Sequence, residues 1–120
     1  MNIIYHNIGT IVIAELSDNN FIISGGQDVL ELMGETGFGN CSSAIIQEKN
    51  LHPDFFRLHT GVAGEVLQKC SNYRFRLAVI GDFTKYKSKN LQDFIRESNK
   101  GNRVYFLDNI NEALKKMVQE

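Results

Sequence analysis

Residues 75–81 read FRLAVIG, and that run decides the fold. Leu77, Ala78, Val79 and Ile80 follow one another with no polar residue between them, so both faces of the segment must be covered. A strand of this kind belongs in the interior of a parallel sheet with material packed above and below it. Residues 43–49 (SAIIQEK) supply another strand before it, and residues 104–107 (VYFL) a short buried one after it. Helical spacing separates these runs. Val29, Leu32, Met33 and Thr36 mark one helix, opened by Ser24-Gly25-Gly26-Gln27 as a capping box and stopped by Gly34 and Gly37. A second helical segment starts near Pro53 and reaches about residue 72, with a break expected at Thr60-Gly61. Leu91, Phe94, Ile95 and Ser98 mark a third, ended by Gly101. Asn109 and Glu112 cap a fourth, whose stripe is Ile110, Ala113, Leu114, Met117 and Val118.

At the amino-terminal end, residues 2–6 and 8–16 are β-rich and meet at Asn7 and Gly9, which predicts a hairpin. Residues 17–20 (SDNN) form a turn, and residues 21–23 (FII) a short strand. The expected order is β-β-β-α-β-α-β-α-β-α. Strands alternating with helices after residue 24 imply an α/β fold with right-handed crossovers and a mostly parallel sheet. The N-terminal β-hairpin supplies an antiparallel edge, and its exposed strand could pair with a second copy, so a homodimer is an open expectation. Residues 1–120 are expected to form a single α/β domain.

Composition narrows the function classes. With 42% hydrophobic and 22% charged residues and a net charge of −1, the chain has an ordinary globular make-up and no bulk attraction for nucleic acid or an anionic membrane. No apolar run approaches the ~18 residues of a membrane span. The opening MNIIYHNIG has neither a basic start nor a cleavage site, so no secretory leader is expected and the cytoplasm is the expected compartment. Two cysteines, Cys41 in a loop and Cys70 on a helix stripe, are too far apart in sequence for a CxxC redox pair or a zinc knuckle, and are expected as reduced thiols.

Chemistry-bearing residues concentrate in residues 48–69, EKNLHPDFFRLHTGVAGEVLQK. In open α/β sheets ligands and partners meet the loops at the carboxyl ends of the strands. Three loops should emerge there: residues 24–27, residues 48–60, and residues 82–90 (DFTKYKSKN). Glu48, His52, Asp54, His59, Thr60, Asp82, Lys85 and Tyr86 are therefore expected to converge. His52 and His59, seven apart, would stand ~10 Å apart along one helix, too far for one zinc without a chain break between them; with Asp54 or Glu48 they could form a mixed N/O site, but hydrogen-bonded or solvated histidines are the plainer expectation. No metal or cofactor is expected. Glu48 with Asp54 or Glu65 could serve as an acid/base pair. No nucleophile motif accompanies them, so the plainer expectation is that Asp54 caps a helix and Glu48 pairs with Lys49 or Arg57. Lys85, Lys87 and Lys89 could form a phosphate-binding patch, and a solvated loop is the plainer expectation. Gly34, Gly37 and Gly39 lead out of a helix rather than into one, which is the wrong sense for a phosphate loop.

A strand, a polar loop and Thr60-Gly61 opening the small-residue run VAGEVL resemble the STAS fold of anti-sigma-factor antagonists. In that family a serine or threonine at this place is phosphorylated by a partner kinase, and the phosphate governs partner binding. His59-Thr60 stands here where the family carries an aspartate-serine pair. The chain is also similar, over almost its full length, to a small bacterial family of uncharacterised single-domain proteins, a domain of unknown function. The segments that carry this likeness are EKNL, PDFF, LQK, SNYR, GDF and ESNKG. That likeness implies the same fold and a bacterial cytosolic setting, and no activity.

The leading expectation is thus a non-catalytic, STAS-like regulatory or protein-interaction module controlled at Thr60, with a protein partner. His59, Thr60 and Gly61 would form its switch, and Glu48, His52, Asp54, Asp82 and Tyr86 the surrounding surface. The alternative is a small enzyme or ligand-binding protein that uses the 48–59 and 82–86 loops.

Overall fold

Five strands pair side by side in chain order. In the computed structural model, which describes residues 1–37 and 41–119, β1 (Ile3–Ile8) runs antiparallel to β2 (Ile11–Leu16). Then β3 (Ser43–Gln47), β4 (Arg76–Ile80) and β5 (Val104–Leu107) follow, each parallel to its predecessor. The connections carry α1 (Gly26–Gly37), α2 (Val62–Asn72) and α3 (Lys89–Lys100), and α4 (Ile110–Met117) follows β5. The radius of gyration is 13.3 Å, close to the ~13.6 Å that a packed chain of this length should have.

Strand order and helix placement are linked. Every crossover steps one strand in the same direction, so crossovers of one hand lay their helices on one face. Val29 and Leu32 of α1, Val66 and Cys70 of α2, and Leu91 and Ile95 of α3 share a core with Ala44, Ile46, Leu77 and Val79. The opposite face carries the alternate residues Ile13, Ile45, Ala78, Ile80 and Tyr105, packed against Ala113 and Met117 of α4. FRLAVIG is apolar on both sides for this reason. Arg76 pins α4 in place, its guanidinium donating to the carbonyls of Lys116 (2.7 Å), Met117 (3.1 Å) and Gln119 (2.8 Å), a cation at the negative end of a helix. Among the described residues no helix is long and apolar enough to cross a membrane.

The two sheet edges are treated differently. On α3, Asn99 donates through Nδ2 to the Phe106 carbonyl (3.1 Å) and accepts the Phe106 N–H on Oδ1 (2.7 Å). Its amide thus stands in for a neighbouring strand at Phe106 and covers that part of the β5 edge. Along β1 the outer edge has no such cover. Ile8 and Ile11 close the hairpin and Ser17 N–H donates to Asn2 O (2.9 Å), so by alternation the backbone groups of Ile3, Tyr5 and Asn7 point away from β2. Ile4, Tyr5 and Ile8 are exposed on that strand.

Several expectations need correction. The hairpin turns at Gly9-Thr10 rather than at Asn7, because Asn7 pairs with Val12 and Ile8 with Ile11. Gly9 alone carries a positive φ there, +62°, which suits a two-residue turn led by glycine. Residues 21–23 form no strand; Ile23 makes a single parallel bridge to Leu51. The helix expected at Ser24 begins at Gly26, and Asp28 rather than Gln27 reaches back, accepting the Ser24 N–H at 2.7 Å. Gly34 does not stop α1, which continues to Gly37. Gly39 lies outside the described residues. The strand expected over 43–49 ends at Gln47, where Glu48–Asn50 turns into a 3₁₀ helix.

That 3₁₀ turn is held by Asn50, whose side chain is buried (1% exposed). Its Nδ2 donates to the carbonyls of Asp18 and Phe21, both at 2.9 Å, and its Oδ1 accepts the Gln47 N–H at 3.0 Å. One amide therefore ties the loop after β2 to the end of β3. Asn50→Ala should lower stability by about 3 kcal/mol, since each lost bond is worth ~1 kcal/mol and stranded buried groups add to that. Urea unfolding should show a lower midpoint at an unchanged slope. An Asn50→Ala midpoint equal to wild type would show that the staple carries no load.

Candidate functional site

The in-register pairing of β3 with β4 puts Gln47 beside Ile80, and so delivers Glu48 and Gly81 side by side at the carboxyl edge. Glu48 then crosses Gly81: a Cβ added to that glycine would lie 2.8 Å from Glu48 Oε1 and 2.9 Å from Glu48 Cβ. Only a residue without a side chain leaves room for that path. Glu48 Oε2 accepts the Tyr86 phenol proton and forms an ion pair with Lys85 Nζ at 2.8 Å. Lys85 Nζ also lies 5.4 Å from the centre of the Tyr86 ring. The expected partners of Glu48, Lys49 and Arg57, are thus displaced by two residues from the next loop. The reason is that the sheet register, and not sequence proximity, decides what Glu48 meets.

The 82–86 loop is braced from three sides. Gln92 of α3 donates from Nε2 to the carbonyls of Phe83 and Tyr86, both at 2.8 Å. Asp82 accepts the Thr84 N–H (3.1 Å) and hydroxyl (2.6 Å), and these bonds, the hydroxyl's first, hold its carboxyl below the usual aspartate range. Tyr86 lies flat on Phe56, ring centres 4.6 Å apart and planes 12° from parallel. Burial, then the hydrogen bond to Glu48 and its negative charge, push the Tyr86 phenol well above the ordinary tyrosine range.

The 48–60 segment is not one helix. Pro53–Phe56 and Leu58–Thr60 are separate 3₁₀ turns interrupted by extended backbone at Arg57, and α2 begins after Gly61 at φ +84°. The first turn is capped by His52, whose Nδ1 accepts the Asp54 N–H at 3.0 Å. That bond assigns the neutral ring's proton to Nε2. Phe55 is buried beneath, against Phe94 and Phe106.

Between the two loops lies an open cleft of about 760 Å³, within the range of small-molecule sites. Ile22, Leu51, Pro53 and Phe56 give it apolar walls, with Tyr86 at one end. Glu48, Lys49, His52, Arg57 and Lys85 complete its lining.

The eight expected site residues therefore divide. Glu48, His52, Lys85 and Tyr86 come together at the cleft. Asp54 turns to Arg57, with Oδ1 3.0 Å from Nη1. Asp82 is occupied by Thr84. His59 is exposed and makes no hydrogen bond or ion pair with the described residues. Thr60 is exposed, and its hydroxyl lies 2.7 Å from the Asp54 carbonyl and 2.8 Å from that of Arg57. It also accepts the Val62 N–H at 3.4 Å. Thr60 thus ends a 3₁₀ turn, and Gly61 rather than Thr60 is the N-cap of α2. Gly25-Gly26 packs on α2, where added Cβ atoms would meet Glu65 (3.7 Å) and Lys69 (3.0 Å). Among the described residues no group of three or more His, Cys, Asp or Glu is placed to hold a metal. Burial pushes the Cys70 thiol up to about 12, so it is an inert core residue.

Sequence reasoning missed Phe56, Gly81, Lys49 and Gln92. Gly81 had a readable signal, a glycine directly after an apolar strand, where close approach of another group is a standing reason for glycine. Gln92 had none.

The chain is thus an α/β protein with an open cleft at the carboxyl edge of a mostly parallel sheet. The chain belongs to the family described as Domain of unknown function (DUF4180), whose model matches residues 8–117. No curated protein matches it.

The Tyr86–Glu48 contact has a titration signature. Because the folded phenol is raised above its unfolded value of ~10, its contribution to stability is complete below that pH and is lost as pH climbs above it. Wild type should therefore destabilise in the alkaline range more steeply than Tyr86→Phe. In phenolate absorbance, the component missing from Tyr86→Phe should titrate lower in Gly81→Ala and in Glu48→Gln than in wild type. An unmoved component in both variants would dissociate Tyr86 from Glu48.

Proposed function

We propose that this domain is a small-molecule-binding module whose ligand occupies the cleft between the 48–57 and 82–86 loops. The observation that carries the reading is the braced geometry of that cleft. Its aromatic wall is held by the Phe56–Tyr86 stack, and its floor by Glu48 lying across Gly81 between Tyr86 and Lys85. Side chains locked by packing and hydrogen bonds lose little freedom when a ligand arrives, which is what makes a cavity a binding site. The domain acts by binding: the one carboxylate lining the cleft, Glu48, is already engaged by a phenol and an ammonium.

A second reading keeps the STAS-like kinship and the protein partner, in a bacterial cytoplasm, with His59, Thr60 and Gly61 as a regulatory surface. The exposed Thr60-Gly61 step before α2 favours it. A phosphate on Thr60 would replace its hydroxyl bonds to the 54 and 57 carbonyls and so loosen the turn beside the cleft.

A metabolite panel screened by melting temperature separates the two. At a hundredfold excess over Kd a ligand adds about 2.7 kcal/mol of stability. A cleft ligand should raise the melting temperature of wild type and not of Ile22→Arg, which blocks the cleft from an exposed position. A panel that shifts both proteins equally, or neither, rejects the cleft; Thr60→Asp altering capture of a specific partner would then favour the second reading.

A further inference from the structure

The cleft's side-chain polarity is one-sided, and that narrows what it takes. Most of its side-chain acceptors are engaged. Glu48 Oε2 carries both Tyr86 and Lys85, and Oε1 lies over Gly81. His52 Nδ1 is occupied by the Asp54 N–H. Its donors are not. Lys49 is exposed and makes no ion pair with the described residues. The proton of neutral His52 sits on Nε2, the nitrogen without a partner. Arg57 pairs with Asp54, and Lys85 with Glu48 and the face of Tyr86, and both have more than half of their side-chain surface exposed (62% and 57%), so either can reach a ligand without unfolding anything. A site whose spare side-chain groups are mostly donors, three of them cationic, offers few partners to the N–H and O–H groups of a ligand that donates. It favours a head group that only accepts. The walls add the second half of the description: Ile22, Leu51 and Pro53 are apolar, and Phe56 presents a ring held by Tyr86.

Resting on the binding reading above, we propose that the ligand is an amphiphilic organic anion, a carboxylate or phosphate head on a flat apolar body. The head is held by Lys49 and His52 Nε2–H, with Arg57 or Lys85 joining, and the body lies against Phe56 and Leu51. Charge-assisted hydrogen bonds are the stronger class and fix the head; the apolar walls bind the body.

Phenylacetate, phenyl phosphate and the neutral isostere phenylacetamide serve as probes, titrated into the full chain and followed by backbone amide shifts. Wild type, Lys49→Glu and Ile22→Arg are compared. The expected result is shifts at residues 48–57 and 85–86 with an anion bound at least about tenfold tighter than the amide, a difference of ~1.4 kcal/mol. Lys49→Glu should remove that preference, and added salt should weaken only the anion. Whichever anion binds tighter names the head group. Phenylacetamide binding at the cleft as tightly as both anions overturns the anion assignment and leaves the cleft as a binding site. No cleft shifts with any probe, or shifts unchanged in Ile22→Arg, overturn both.

Discussion

The register of β3 against β4 is the constraint on which the rest of this structure depends. Five consecutive pairs, from Ser43 with Arg76 to Gln47 with Ile80, hold the two strands parallel. A slip of β4 by one residue would turn Leu77 and Val79 away from the three-helix face and onto the α4 face. The same register brings Glu48 next to Gly81, and from that adjacency come the contacts to Tyr86 and Lys85, the placement of Phe56, and the cleft. Core packing and site geometry are thus set by one alignment.

Side-chain amides do the remaining positioning. Asn50, Gln92 and Asn99 each make more than one bond to backbone groups of another segment. A neutral amide can do this because it both donates and accepts and costs less to bury than a charge. Asn50 and Gln92 hold the loops on either side of the cleft, and Asn99 covers the β5 edge at Phe106. The cationic residues that border the cleft, Lys49, Arg57 and Lys85, are by contrast exposed at the surface, which suits groups that must reorganise around a ligand.

Much of the fold was legible because it rests on local periodicity. FRLAVIG, VYFL and the apolar stripes of α3 and α4 each announce their burial pattern, and Val104–Leu107 falls where the sequence places it. The boundaries that failed were those decided by partners distant in sequence. Residues 21–23 look like a strand, yet Asn50 and His52 claim their backbone groups and leave only a bridge at Ile23. Pro53 to Thr60 looks like the start of a helix, yet His52 caps the first turn and Arg57 is extended.

By itself the sequence determined the α/β class, the hairpin edge, the parallel interior strands and the edge of the sheet where reactive side chains gather. Those follow from period, glycine and proline placement, and the order of elements, all properties of neighbours along the chain. Only the tertiary structure decided which of the gathered residues meet. Glu48 takes Tyr86 and Lys85, 38 and 37 residues away, while Asp54, His59 and Thr60 turn elsewhere. The physical reason is that a site is made by through-space geometry: strand register and loop bracing choose the partners of a charged group, and neither is written in its sequence neighbours.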